Sequence, residues 1–186
     1  EGTYDRIIKG LAKLVDEKKK LGSPTPYIYV NYVISETNYN CIVNAIEALP
    51  LNDIVKIDLR VMFYCTDELA KRHNVTFGEK YDATVACLKG GINLDNIDID
   101  ILHSELLKIA ERYPYKCSMF FENNKEWLNT YFKRDDVFMD ERGCLFPWFT
   151  AQISQDGDMW GPSRCYHRNY GNLKENNFRE LWNGPL

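Results

Sequence analysis

The chain has 186 residues, 45% of them apolar, including twelve Tyr, nine Phe and four Trp; this supply of core-forming side chains excludes intrinsic disorder and suits one sizeable domain, alone or with a small appendage. Twenty-seven acidic against 23 basic side chains leave a formal charge of −4 without any long single-sign run, so an electrostatic grip on nucleic acid or on an anionic membrane is not expected. The longest apolar run, around Tyr27 to Ile34, has the length of a strand and falls short of a membrane span.

Tyr4, Ile7, Ile8, Leu11, Leu14 and Val15 recur at helical spacing, with Thr3 as the expected N-cap and Gly22 and Pro24 as the stop. Lys18, Lys19 and Lys20 close this helix, where positive charge suits the dipole. Tyr27 to Ile34 is a β-branched and aromatic run of the kind buried on both faces of a parallel sheet. Asn38 to Leu49 returns to helical period through Ile42, Ala45, Ile46 and Leu49, with Asn38 as its cap and Pro50 as its end. From Ile54 to Tyr64, Lys56, Asp58 and Arg60 alternate against Val55, Ile57, Leu59 and Val61, which predicts a second strand. Helix, strand, helix, strand with short joints is the pattern of a right-handed parallel α/β layer.

Farther on, Asp67 to His73 and Lys80 to Leu88 read as helices, broken by Gly90-Gly91. Ile99, Leu102, Leu106 and Ile109 mark an amphipathic helix from about Asp98 to Arg112. Cys117, Met119 and Phe121 alternate as a short strand, and Lys125 to Lys133 is helical. Beyond Cys144 the pattern changes. Phe149, Ala151 and Ile153 alternate, Asp156-Gly157 supplies a turn that needs positive φ, and Met159-Trp160 begins a return strand. A loop at Gly171-Asn172 and a short helix over Phe178 to Trp182 follow. The expected boundary is near residue 140, dividing 1–140 from 141–186.

The six cysteines, Cys41, Cys65, Cys87, Cys117, Cys144 and Cys165, form no CxxC pair. A small secreted scaffold would be denser in cysteine, so a reducing, cytoplasmic setting with free or metal-bound thiols is expected. Cys41, Cys65, Cys87 and Cys117 lie among apolar neighbours and read as core, although Cys65 follows the second strand, where parallel layers gather their ligands. By the same logic Asn31 and Arg60, on the two strands, are candidates for contact with a cofactor or substrate. His73 and His103 read as structural, His167 as a surface residue, and Trp148 and Trp160 as packing for the hairpin.

The ordered set Cys144-Leu-Phe-Pro-Trp148, Ile153-Ser-Gln-Asp-Gly-Asp158, Cys165, Gly171-Asn-Leu173 and Phe178-Arg-Glu-Leu-Trp-Asn-Gly184 resembles the SPASM/twitch region of radical S-adenosylmethionine enzymes. Gly2 to Leu11 resembles the helix after the fourth strand of that family's partial barrel, Tyr27 to Ile34 its fifth strand, and Ile54 to Tyr64 its sixth. The resemblance implies an α/β fold: the later portion of a radical-SAM partial (βα)6 barrel, followed by a small β-hairpin-plus-helix module. It implies an enzyme that, at full length, cleaves S-adenosylmethionine to a 5′-deoxyadenosyl radical with the help of an electron donor. The substrate would be a peptide or a small molecule.

Cys144 and Cys165 would be metal ligands to an auxiliary iron–sulfur cluster, the DG turn bringing the two sulfurs to one end of the hairpin. The family's CxxxCxxC loop, which holds the catalytic [4Fe–4S] cluster, is absent from these 186 residues. The chain, which opens on Glu1-Gly2-Thr3, is therefore expected to be a portion of a longer enzyme and to be inactive alone. Two other readings compete. One is a metal-binding α/β interaction module without radical chemistry, with zinc on Cys144, Cys165, His167 and a fourth ligand. The other is an α/β binding protein whose cysteines are all core.

Overall fold

The alternation of Lys56, Asp58 and Arg60 with apolar neighbours is realised as the central strand of a three-stranded sheet. The computed structural model describes residues 2–79, 82–85, 92–134, 136–137, 148–161 and 168–184. In chain order its elements begin with α1 (Thr3–Lys20), β1 (Tyr29–Ile34), α2 (Ile42–Glu47), β2 (Lys56–Val61) and α3 (Asp67–Phe77). A 3-10 turn at Leu94–Asn96 precedes α4 (Ile99–Arg112), β3 (Cys117–Met119) and α5 (Lys125–Lys133). Then come β4 (Gln152–Ile153), β5 (Asp158–Trp160), β6 (Asn169–Asn172) and α6 (Phe178–Asn183). Contacts divide the chain into two units, Glu1–Met62 with Asn93–Lys133 and Phe63–Ile92 with Arg134–Leu186. The boundary expected near residue 140 lies outside the described residues.

In the first unit β1, β2 and β3 are parallel and adjacent in that order. The register aligns Tyr29 with Lys56 through Ile34 with Val61, and Ile57 with Cys117 through Leu59 with Met119. Burial alternates along the strands. Ile34, Ile57 and Leu59 are fully buried together with Ile42 and Ile46 of α2, Leu102, Leu106 and Ile109 of α4, and Leu128 of α5. Each such side chain contributes about 1.5–3 kcal/mol relative to exposure, so this one-sided layer dominates the unit's stability. The alternate positions Tyr29, Asn31, Val33 and Arg60 are exposed. β1 was expected to be buried on both faces; among the described residues it is an edge strand covered on one, because an apolar run specifies burial without saying how many sides are covered.

The helix ends follow local chemistry. Asp98 caps α4, its Oδ1 accepting the N–H groups of Asp100 and Ile101 at 2.9 and 3.0 Å. Thr3 is the first residue of α1, and Gly2 takes the cap position at φ 77°. Asn38 does not cap α2, which begins at Ile42 after Cys41. It closes the turn after β1, its Oδ1 accepting the Ser35 N–H at 2.8 Å and its Nδ2 donating to the Val33 carbonyl at 2.9 Å.

In the second unit Thr66 caps α3, its hydroxyl accepting the Leu69 N–H at 3.0 Å, and the helix runs past His73 to Phe77. Of the helix expected over Lys80 to Leu88, only residues 82–85 are described, and they are not helical. Both backbone polar groups of Ala83 bind the Asn74 side chain, at 2.7 and 2.8 Å. β4, β5 and β6 form an antiparallel sheet around the fully buried Met159. The DG turn joins β4 to β5 with Gly157 at φ 90°. β6, expected as a loop, is a third strand. Among the described residues no helix is long and apolar enough to cross a membrane.

Candidate functional site

The uncovered face of the parallel sheet collects polar groups from three strands. Register sets Asn31 beside Asp58 and Asp58 beside Ser118, and side chains two residues apart on a strand share a face, so Val33 and Arg60 join them. The Ser118 hydroxyl donates to Asp58 Oδ1 at 2.8 Å. The other Asp58 oxygen lies 3.6 Å from Arg60 Nη2, and the Arg60 guanidinium sits 4.8 Å from the Phe120 ring centroid. A pair this exposed contributes little to stability; its effect is orientation, since Asp58 and Phe120 hold the guanidinium from two sides while Ser118 fixes Asp58. This face can donate hydrogen bonds from Arg60 and Asn31 and accept them at Asp58. Both strand residues expected to meet a ligand stand on it. Asp58, Ser118 and Phe120, which complete the network, were not singled out from the sequence; the i, i+2 acid–base pair Asp58/Arg60 was the available signal.

At the carboxyl ends of the strands, where open parallel sheets place ligands, Glu36 accepts the Asn93 N–H at 2.6 Å and the Asn96 amide at 2.5 Å. These two bonds hold its carboxyl below the usual range. Phe121, Trp127 and Tyr131 form a ring stack with centroids 5.6 and 5.0 Å apart, and the Tyr131 hydroxyl donates to the Met62 carbonyl at 2.9 Å.

In the second unit Asn172, Gly171 and the cap of α6 frame the small antiparallel sheet. Asn172 Nδ2 donates to the Asp156 carbonyl at 3.0 Å and to Asp158 Oδ1 at 2.9 Å, while its Oδ1 accepts the Lys174 N–H at 2.8 Å. Gly171 stands at φ 127°, and a Cβ there would lie 2.6 Å from Leu181 Cδ2 of α6. Asn177 and Glu180 form a reciprocal capping box on α6. Gln152, Trp160 and Asn169 pair side by side at one end of this sheet. Trp148, expected to pack the hairpin, is 77% exposed, and Trp160 is half-buried.

Cys144, Cys165, His167 and Cys87 lie outside the described residues. Cys41, Cys65 and Cys117 are free thiols. Burial pushes the Cys117 thiol up to about 11 and raises that of Cys65, as suits packed sulfur and not a reactive thiolate. His73 leans on Phe77 with ring centroids 5.3 Å apart, and His103 is half-buried on α4. Among the described residues no group of three or more His, Cys, Asp or Glu side chains could hold a metal ion, so the described residues alone do not make a seat for an iron–sulfur cluster. Compared with known proteins, the chain matches no family model, no curated protein and no solved structure.

Proposed function

We propose that this chain is part of a radical S-adenosylmethionine enzyme. Its first unit would be a section of the partial-barrel wall, and its second the frame of an auxiliary iron–sulfur cluster on Cys144 and Cys165. The observation that carries the reading is the one-sided cover of the parallel sheet. A barrel wall needs helices on its outer face and functional side chains on its inner face, and Asn31, Asp58, Arg60 and Ser118 occupy the bare side. There Arg60 and Asn31 bind and orient S-adenosylmethionine or the peptide or small-molecule substrate, with Asp58 and Ser118 as positioning residues. The [4Fe–4S] cluster of the family's CxxxCxxC loop, when bound, would supply the electron that cleaves S-adenosylmethionine.

For the second unit, support comes from the common end formed by Gln152, Trp160 and Asn169. In sequence Cys165 stands four residues before Asn169, where β6 begins, and Cys144 eight residues before Gln152, where β4 begins. The free thiols Cys41, Cys65 and Cys117 fit a reducing cytoplasm.

The test is anaerobic reconstitution of the full-length polypeptide with iron and sulfide, followed by metal and acid-labile sulfide analysis. Iron and sulfide that fall by one cluster's worth in the Cys144→Ser, Cys165→Ser double variant support the reading. Stoichiometric zinc without iron overturns it in favour of a metal-binding interaction module, and iron content indifferent to both substitutions leaves a binding protein with buried thiols.

A further inference from the structure

We infer that Asn183 is a site of spontaneous covalent modification, where the backbone nitrogen of Gly184 closes on the side-chain carboxamide and leaves isoaspartate at the end of α6. This concerns the chain's own chemistry and is independent of the proposed function.

The chain holds one Asn-Gly pair, Asn183-Gly184, and one Asp-Gly pair, Asp156-Gly157. In either pair the glycine nitrogen can attack Cγ of the residue before it, because glycine has no Cβ to bar the approach. At Asn183 the new N–Cγ bond forms, the nitrogen gives up its proton and the side-chain amide leaves as ammonia. Water then opens the cyclic imide at one of its two carbonyls, giving aspartate or, with the chain routed through the side chain, isoaspartate. No oxidant or cofactor enters. The reaction needs an uncommitted glycine nitrogen and a backbone free to rotate.

The structure separates the two pairs on both counts. At Asp156-Gly157 the Gly157 N–H donates to the Ser154 carbonyl at 3.0 Å, and the Gly157 carbonyl takes the Leu173 N–H at 2.9 Å. Ser154 Oγ accepts the N–H groups of Asp156 and Asp158 at 3.2 and 3.1 Å, and Asn172 Nδ2 donates to the Asp156 carbonyl at 3.0 Å. The attacking nitrogen is committed, and the turn around it is braced on both sides.

Asn183 is exposed and ends a helix of six residues, a length that does not sustain itself in water. Gly184 has already left helical geometry, at φ −67° and ψ 164°, and lacks the capping N–H bond that closes α1 at Leu21, α2 at Ala48 and α4 at Tyr113. One bond holds the carboxamide, from Asn183 Nδ2 to the exposed Arg179 carbonyl at 3.0 Å. Fraying of the last turn frees both reacting groups without opening the sheet. A carboxylate cannot donate to the Arg179 carbonyl, and its charge meets the negative end of the helix dipole, so the product does not restore this end of α6.

The test incubates the 186-residue chain in mildly alkaline buffer, native and urea-unfolded. Isoaspartate at each pair is counted by peptide mass spectrometry and by labelling with an isoaspartate-specific carboxyl methyltransferase. Native Asn183 should react within about tenfold of its unfolded rate, while native Asp156 should be slowed by about 100-fold or more. Asn183→Gln enlarges the ring to be closed by one atom; it should remove the signal at this position and leave that of Asp156 in the unfolded chain unchanged. Equal protection of the two pairs, whether high or low, overturns the inference. So does isoaspartate at Asn183 that forms only in urea.

Discussion

The Glu105 carboxylate of α4, only 9% exposed, accepts the backbone N–H of Val43 at 3.0 Å and so joins α4 to the first turn of α2. Its second oxygen takes Lys108 Nζ at 2.9 Å. The first N–H groups of a helix have no acceptor within it, and α2 receives one from a distant element. Glu105→Ala is expected to strand that buried donor and cost about 1–3 kcal/mol in urea unfolding. Glu105→Gln keeps an acceptor oxygen and should lose less than half as much.

Gly171 is a tight joint of the second unit. Gly171→Ala combines a positive φ with a 2.6 Å approach to Leu181, and an expected cost of about 1–3 kcal/mol should appear as early loss of the near-ultraviolet signal of Trp182. Gly10 gives the opposite outcome. It sits inside α1 with open space around it, so Gly10→Ala should stabilise the chain by about 0.5–1 kcal/mol.

Acid should weaken the connection held by Glu36. Bonds from Asn96 and Asn93 lower its folded pKa from 4.5. A depressed carboxylate contributes stability above its unfolded pKa and loses it as the pH falls through the folded one. The melting-temperature difference between the native chain and Glu36→Gln should therefore be constant from pH 7 to about 5. It should shrink below about pH 4.5, the unfolded value.

Burial, opposed by Lys56 and Lys116, carries the Cys117 thiol from 9.0 to about 11. At pH 8 this lowers the thiolate fraction about 100-fold, so alkylation of Cys117 in the native chain should lag the urea-unfolded chain by at least about that factor. Peptide mass spectrometry after a timed iodoacetamide pulse reads it directly.

Arg60 and Asn31 separate function from stability. Both are exposed on the bare sheet face, and exposed substitutions usually stay within about 0.5 kcal/mol. Under the proposed function, Arg60→Met and Asn31→Ala in the full-length reconstituted polypeptide should each lower S-adenosylmethionine turnover by about tenfold or more, with unfolding midpoints unchanged. Turnover unaffected by both would remove this face from the site.

Elements whose side-chain period matches their packing were legible in the sequence. α4 repeats Leu102, Leu106 and Ile109 on one buried face and starts where Asp98 caps it; α5 and β2 are similar. β6 was not legible, because Asn169-Tyr-Gly-Asn172 has no apolar alternation and becomes a strand through backbone pairing with β5. Asn38 misled because an Asx residue serves a turn as readily as a cap. In the site, Asn31 and Arg60 could be picked out from strand position, but the Ser118–Asp58 bond joins residues 60 positions apart and depends on inter-strand register. That register is not written in either strand alone.

The departure of the chain at Met62 and its return at Asn93 also set an order of events during synthesis. A ribosome delivers β1 and β2 first, then thirty residues that belong elsewhere, and only afterwards α4 and β3. Ile57 and Leu59 must wait in a half-built sheet until Leu102, Leu106 and Cys117 emerge. The nascent chain is thus most exposed to off-pathway pairing in the interval when the apolar face of β2 has α2 but not yet α4 to cover it.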